Sequence, residues 1–148
     1  MKHILKISAL LCVLFLVGGT ACKKSDSTGK GKKNVKKILS SNDTIVETEL
    51  KRISEQMNKT LPKKLDQYTT LASTKAGPGR RLAYYYTIYN LPKKNMNQAF
   101  IESKMKAKLA NNYKTNPSMA GLRSRKVILT YVYKDKSGKQ AAKFDIQP

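Results

Sequence analysis

Two alternating runs near the C-terminus, Val127 to Tyr133 and Lys139 to Gln147, are separated by Asp135-Lys136-Ser137-Gly138, a strong turn signal. Successive strand side chains point to opposite faces, so each run commits one set of residues to a core. In the second run Ala142, Phe144 and Ile146 are the core set, opposed by Lys139, Ala141, Lys143, Asp145 and Gln147. Pairing Lys134 with Lys139 across the turn puts Phe144 opposite Leu129 and Ile146 opposite Val127. Val127, Leu129, Tyr131 and Tyr133 then join the same face.

An earlier hairpin is expected from a strand over about 65 to 74, in which Leu65, Gln67, Thr69, Leu71 and Ser73 alternate with Asp66, Tyr68, Thr70 and Ala72, a turn at Ala76-Gly77-Pro78-Gly79 and a strand over about 80 to 89. Leu82, Tyr84, Tyr86 and Ile88 form one face of the second strand; Arg81, Ala83, Tyr85, Thr87 and Tyr89 form the other. Each hairpin follows a helical pattern. Val46, Leu50, Ile53 and Met57 recur at helical spacing behind a Thr44/Glu47 capping box, and Pro62 disfavours helix in the residue before it. Glu47 and Glu49 suit the N-terminal end of that helix. Phe100, Ile101, Met105 and Leu109 mark a second helix from about Asn97 to Asn111, with a further short turn at Ser118 to Leu122. The order helix, hairpin, helix, hairpin predicts an α+β fold: a four-stranded, largely antiparallel sheet with two helices on one face.

The N-terminus has a different character. Met1 to Lys6 is cationic, Ile7 to Val17 is uncharged, and Gly19-Thr20-Ala21-Cys22 closes the stretch with small residues. This is a secretory signal, too short to span a bilayer. The tetrapeptide resembles the lipobox of bacterial lipoproteins, in which the cysteine is diacylated and becomes the first residue. Gly19 stands where that family usually has an aliphatic residue, and ordinary signal peptidase would leave Cys22 free. Cys12 departs with the leader and no further cysteine follows Cys22, so the exported domain folds without a disulfide. The organisation expected is a signal peptide over 1–21, a lysine-rich flexible tether over 22–40 and one domain over 41–148.

The chain carries 30 Lys and Arg against 9 Asp and Glu; losing Lys2 and Lys6 with the leader leaves 28 against 9, or +19. Lys23, Lys24, Lys30, Lys32, Lys33, Lys36 and Lys37 crowd the tether with Asp26 as its only acid. Beside an acyl chain, such a stretch adds about 1 kcal/mol per basic residue of attraction to an anionic membrane surface.

The sheet face away from the helices is the expected binding surface. It would carry Tyr68, Tyr85, Tyr89, Ile128, Thr130 and Val132, rimmed by Arg81, Lys126, Lys134 and Lys143. Rings supply apolar area with a polar handle, and basic neighbours steer acidic partners. Tyrosine also simply suits strands. Chemistry has far less to work with. The only histidine is His3, in the leader, and there is no Gly-x-Ser-x-Gly, Walker-type loop or His-Glu-x-x-His. No catalytic residue, metal or cofactor is expected.

Residues 44 to 148 also resemble small exported bacterial proteins of unassigned function, through Leu61-Pro62 with Asp66 and Thr69, Leu82-x-Tyr84-x-Tyr86, and Tyr131-x-Tyr133-x-Asp135 with Gly138. Those proteins often carry a cysteine pair; here Tyr113 and the Gln147-Pro148 end offer none. The resemblance brings no activity. The reading is a lipid-anchored binding module of the bacterial envelope, holding another envelope protein or an incoming effector. Its alternative is cationic adhesion to lipopolysaccharide, peptidoglycan-linked polymers or nucleic acid. Nucleic acid is the disfavoured partner, because a cytosolic binder would need the leader uncleaved. In enterobacterial-type lipoproteins an aspartate after the lipidated cysteine tends to retain the protein at the inner membrane; Lys23 there leans toward the outer membrane, facing the periplasm.

Overall fold

A computed structural model describes residues 34–90 and 92–148. The leader, Cys22 and the lysines from Lys23 to Lys33 lie outside the described residues. The elements run α1 (Asn34–Asn58), β1 (Lys63–Lys64), β2 (Thr69–Gly77), β3 (Arg81–Ile88), α2 (Gln98–Thr115), α3 (Ala120–Ser124), β4 (Ile128–Asp135) and β5 (Gln140–Ile146), with 3₁₀ turns at Lys93–Asn95 and Pro117–Met119. The α+β class and the helix, hairpin, helix, hairpin order are as expected. The sheet has five strands rather than four and the described residues form three helices rather than two, because Lys63–Lys64 adds a short edge strand and Ala120–Ser124 closes one α-turn.

Strand order is β1-β2-β3-β4-β5. The neighbours pair antiparallel except at the centre, where β3 and β4 run parallel with Tyr84 beside Tyr131 and Tyr86 beside Tyr133. The parallel junction follows from α2. A helix crossing the sheet returns the chain to the end where β3 began, so β4 starts level with it.

α1 starts at Asn34, well before Thr44, so Thr44 and Glu47 are interior helix positions and not a capping box. The stretch 34–40, expected as tether, is helical backbone. α2 does begin where expected. The Asn97 side chain accepts the Phe100 N–H at 3.0 Å and caps it. The helix runs past Asn111 to bury Tyr113, whose hydroxyl donates to the Val127 carbonyl at 2.7 Å.

The first hairpin is displaced toward the turn. Leu65 and Gln67 precede β2, and a bulge between Leu71 and Ser73 changes the alternation, so Thr74 rather than Ser73 is buried beneath α1. In the last hairpin the observed partners are Leu129 with Ile146 and Tyr131 with Phe144, two residues from the expected register. The faces are unchanged, because a slip of two preserves side-chain parity.

α1 packs over β2 and β3, and α2 lies along β5. Between them the core is aromatic. Tyr84, Tyr131, Tyr86, Tyr133 and Phe144 stack across three strands with centroid separations of 5.0 to 6.1 Å. Leu50, Leu71, Leu82, Ile101, Val127 and Leu129 close the core around them. Rings of this size, stacked with offset, fill the space between two helices set at the margins of the sheet.

Candidate functional site

The two faces of the sheet differ in kind. Away from the helices, Arg81 on β3 reaches across β4 to β5. Its Nη1 donates to Thr130 Oγ1 at 2.9 Å and pairs with Asp145, and Thr130 Oγ1 donates to the other Asp145 oxygen at 2.7 Å. Burial alone would raise the Asp145 pKa; the hydrogen bonds from Arg81 and Thr130 outweigh it and hold the carboxyl below its ordinary range. Beside this network the Lys134 ammonium lies 5.5 Å from the Tyr85 ring centroid.

The expected surface is therefore brought together only in part. Arg81, Tyr85, Ile128, Lys134 and Lys143 occupy neighbouring register positions on this face. Val132 is 4% exposed and Thr130 2%, so both are floor rather than contact surface; Val132 sits between Tyr85 on β3 and Lys143 on β5. Arg81 is already spent on Asp145 and is not a free rim, while Lys134 stays beside the Tyr85 ring. Tyr68 and Tyr89 stand at the far end of the sheet, where the Tyr89 N–H donates to the Tyr68 carbonyl at 2.7 Å, and Tyr89 is 38% exposed. Lys126 is not on the sheet. It lies in the turn before β4 with a φ of 55°.

The concavity lies elsewhere, along the outer flank of α1. A groove of about 920 Å³ runs between Thr44, Thr48, Lys51 and Glu55 of that helix and the Ser73–Pro78 edge of the first hairpin, turning over the edge to Tyr85 and Lys134. Helical spacing sets its wall: those α1 positions form a stripe next to the core stripe Val46, Leu50, Ile53, Met57. The hairpin is tied to α1 at both ends of the groove. At one end Asp43 pairs with Arg80 and the Gly79 N–H donates to Glu47 Oε1 at 2.6 Å; Glu49 ties α1 separately to Arg125, in the turn before β4. At the other, Asn58 bonds Thr74 through both amide atoms, accepting its N–H at 2.8 Å and donating to its carbonyl at 3.0 Å. Glu47 and Glu49 thus dock the helix onto turns rather than serving its N-terminus.

Sequence reasoning missed this groove, since it is made by two segments that share no local pattern. The stripe of Thr, Lys, Ser and Glu beside the apolar one was its only trace. Nothing in the groove converges on catalysis: its carboxylates are Glu47, spent on Gly79, and Glu55. Among the described residues there is no group of three or more His, Cys, Asp or Glu placed to hold a metal ion, and no helix long and apolar enough to cross a membrane.

Residues 44–142 match the family described as a domain of unknown function, DUF8479, and the chain belongs to that family. No curated protein matches it. Three solved structures share its fold. A Pseudomonas aeruginosa protein assigned as secreted is 15% identical with a TM-score of 0.61, covering 71% of this chain and 91% of its own. The pilotin EpsS of the Vibrio vulnificus type 2 secretion system is 7% identical with a TM-score of 0.52, over 72% and 92%. The type II secretion system pilotin AspS of Vibrio cholerae is 10% identical with a TM-score of 0.53, over 73% and 94%.

Proposed function

We propose that this chain is a lipid-anchored, non-enzymatic binding module of the bacterial envelope, held at the outer membrane facing the periplasm, that keeps another envelope protein in place. A component of a secretion assembly is the partner this reading favours. The observation that carries it is the groove beside α1, a recess walled by hydroxyl, amide, lysine and glutamate side chains and by a strand edge unpaired among the described residues, with no acid, base and nucleophile set for chemistry. The fold shared with two secretion-system pilotins supports the same reading. In it, Cys22 carries the acyl chains, the lysines from Lys23 onward hold the tether near anionic headgroups, and Tyr85 with Lys134 forms the lip of the binding surface.

Crosslinking in cells through a photoreactive group at Thr48, with irradiation after a wash in low or in high salt, tests the function. One envelope protein should be captured and should survive high salt, and Tyr85→Ala should reduce capture about tenfold with the melting temperature within a few degrees of wild type. Equal loss of capture and of thermal stability would mean that the Tyr85 ring is core. For the anchor, Cys22→Ala should move the protein from the membrane pellet to the soluble fraction. Unmodified Cys22 in the mass spectrum of the mature N-terminus would refute lipidation.

Cationic adhesion is the second reading, and one feature favours it. Lys63, Lys64, Lys93, Lys94, Lys136 and Lys139 are all exposed where β3 and β4 end and β5 begins. The Asp135 carboxylate there is turned into its own loop, with hydrogen bonds led by Ser137 lowering its pKa. A polyanion on this end would be released by the high-salt wash, while a partner docked in the groove would stay.

A further inference from the structure

β2 is nine residues long, but β1 covers only Thr70 and Leu71. Beyond the bulge, the outer edge from Ser73 to Gly77 has no strand beside it among the described residues. The Asn58 amide occupies one rung of that edge, bonding Thr74 through both its N–H and its carbonyl as a neighbouring strand would. The alternation of an antiparallel ladder makes Ala76 the next residue whose N–H and C=O point outward. On the opposite edge of the sheet the Gln98 amide bonds both backbone groups of Lys143 in the same way, but α2 packs along β5 there. Only the β2 edge opens into the groove.

We infer that the β2 edge from Ser73 to Gly77 accepts an extended, acidic segment of the partner as an added strand, with Asn58 yielding its place on Thr74. This rests on the binding-module reading and names the mode of that binding. An extended segment matching five residues spans about 17 Å, and the α1 wall from Thr44 to Asn58 is about 21 Å long, so the groove has the length. Trading two Asn58 hydrogen bonds for a strand rung is close to neutral, so the added rung at Ala76 and apolar contacts, which salt does not screen, hold the segment, and contacts with the charged side chains of the groove select it. Those contacts favour acid. Lys51, Lys75 and Lys134 line the groove against Glu47 and Glu55, and the chain from residue 34 on carries 23 Lys and Arg against 8 Asp and Glu. A second copy of this chain is the wrong occupant: seven of the 30 cations and one of the nine acids precede residue 34, leaving 23 against 8, and two such domains would bring like lysines together.

The probe is a capped heptapeptide of alternating Glu and Val, compared with its Lys and Val counterpart, added to the intact processed chain in nonionic detergent. Backbone amide exchange is followed residue by residue. The Glu peptide should bind saturably and slow exchange at Ala76 by about tenfold or more, while the Lys peptide should not. Ala76→Pro, which removes the outward N–H without touching the β3 ladder, should abolish that binding. The wild-type exchange map decides the matter by itself if the proline variant fails to fold. Equal protection by both peptides, protection confined to other regions, or Ala76 protection that rises with protein concentration in the absence of peptide would each overturn the inference. If Ala76 is untouched while Thr48 crosslinks still form in cells, the edge mode falls and the binding module stands. If Ala76 is protected but cells yield no crosslink, the edge mode stands and the resident partner falls.

Discussion

Replacing Tyr131 with alanine is expected to lower the unfolding free energy by about 4 kcal/mol, the range seen when a large ring is cut from a core. Tyr131 is the hinge of the aromatic ladder, stacking on Tyr84 at 5.5 Å, Tyr86 at 6.1 Å and Phe144 at 5.9 Å. It is 3% exposed, and α1 and α2 sit over the margins of the sheet, so neither helix can move into the void without leaving its own strands. For a domain of this size the loss corresponds to a melting point lower by about 20 °C. Tyr131→Phe keeps the ring and should cost no more than about 1 kcal/mol. Urea unfolding of both variants checks this; a loss under about 1 kcal/mol for the alanine variant would mean that the ladder does not hold the layers together.

Alkaline unfolding between about pH 11 and 12 is the second large expectation. Burial pushes the Tyr84, Tyr86, Tyr131 and Tyr133 phenols well above the ordinary tyrosine value, and neighbouring phenolates add repulsion for the first three. The folded state therefore keeps its protons where the unfolded chain releases them. The stability this provides is complete below about pH 10, the unfolded value, and declines as pH rises from there toward the folded values. Each phenol costs about 1.4 kcal/mol per pH unit in that interval, so four cost roughly 5.5 kcal/mol per unit against a total stability of about 5 to 15 kcal/mol. Phenolate absorbance and far-UV circular dichroism should change together in one cooperative step. Tyr131→Phe should move that step to higher pH. Gradual titration of the buried phenols near pH 10 with the fold intact would contradict the burial argument.

The same ladder shows how far local pattern reaches. Leu82, Tyr84, Tyr86 and Ile88 lie on the buried face as their alternation requires, and so do Leu129, Tyr131, Tyr133, Ala142, Phe144 and Ile146. The pairing of the last hairpin was misplaced by two residues without moving any of them across the sheet, because turn geometry sets register while parity sets face. In β2 the parity argument failed at one point only. The bulge after Leu71 exchanged Ser73 for Thr74, and nothing in Leu71-Ala72-Ser73 announces an extra residue.

The candidate site was less legible. Tyr85 and Lys134 were placed correctly on one face, but their neighbours behave otherwise than their chemistry alone suggests. Arg81 is held by Asp145, Val132 is covered, and Lys126 lies off the sheet. Charge in a sequence says how many cations exist, whereas engagement depends on which acids the fold brings within reach. Arg80, with Asp43, and Arg125, with Glu49, are spent in the same way on partners far along the chain.

Side-chain periodicity determined the α+β class, the order of elements and the buried faces, because each depends only on residues a few positions apart. The tertiary structure decided the parallel junction of β3 and β4, the Asn58 and Gln98 seals on the two sheet edges, and the groove between α1 and β2. Those features join segments separated by 16 residues or more of chain, and no local pattern encodes the path by which α2 and the hairpin turns bring them together.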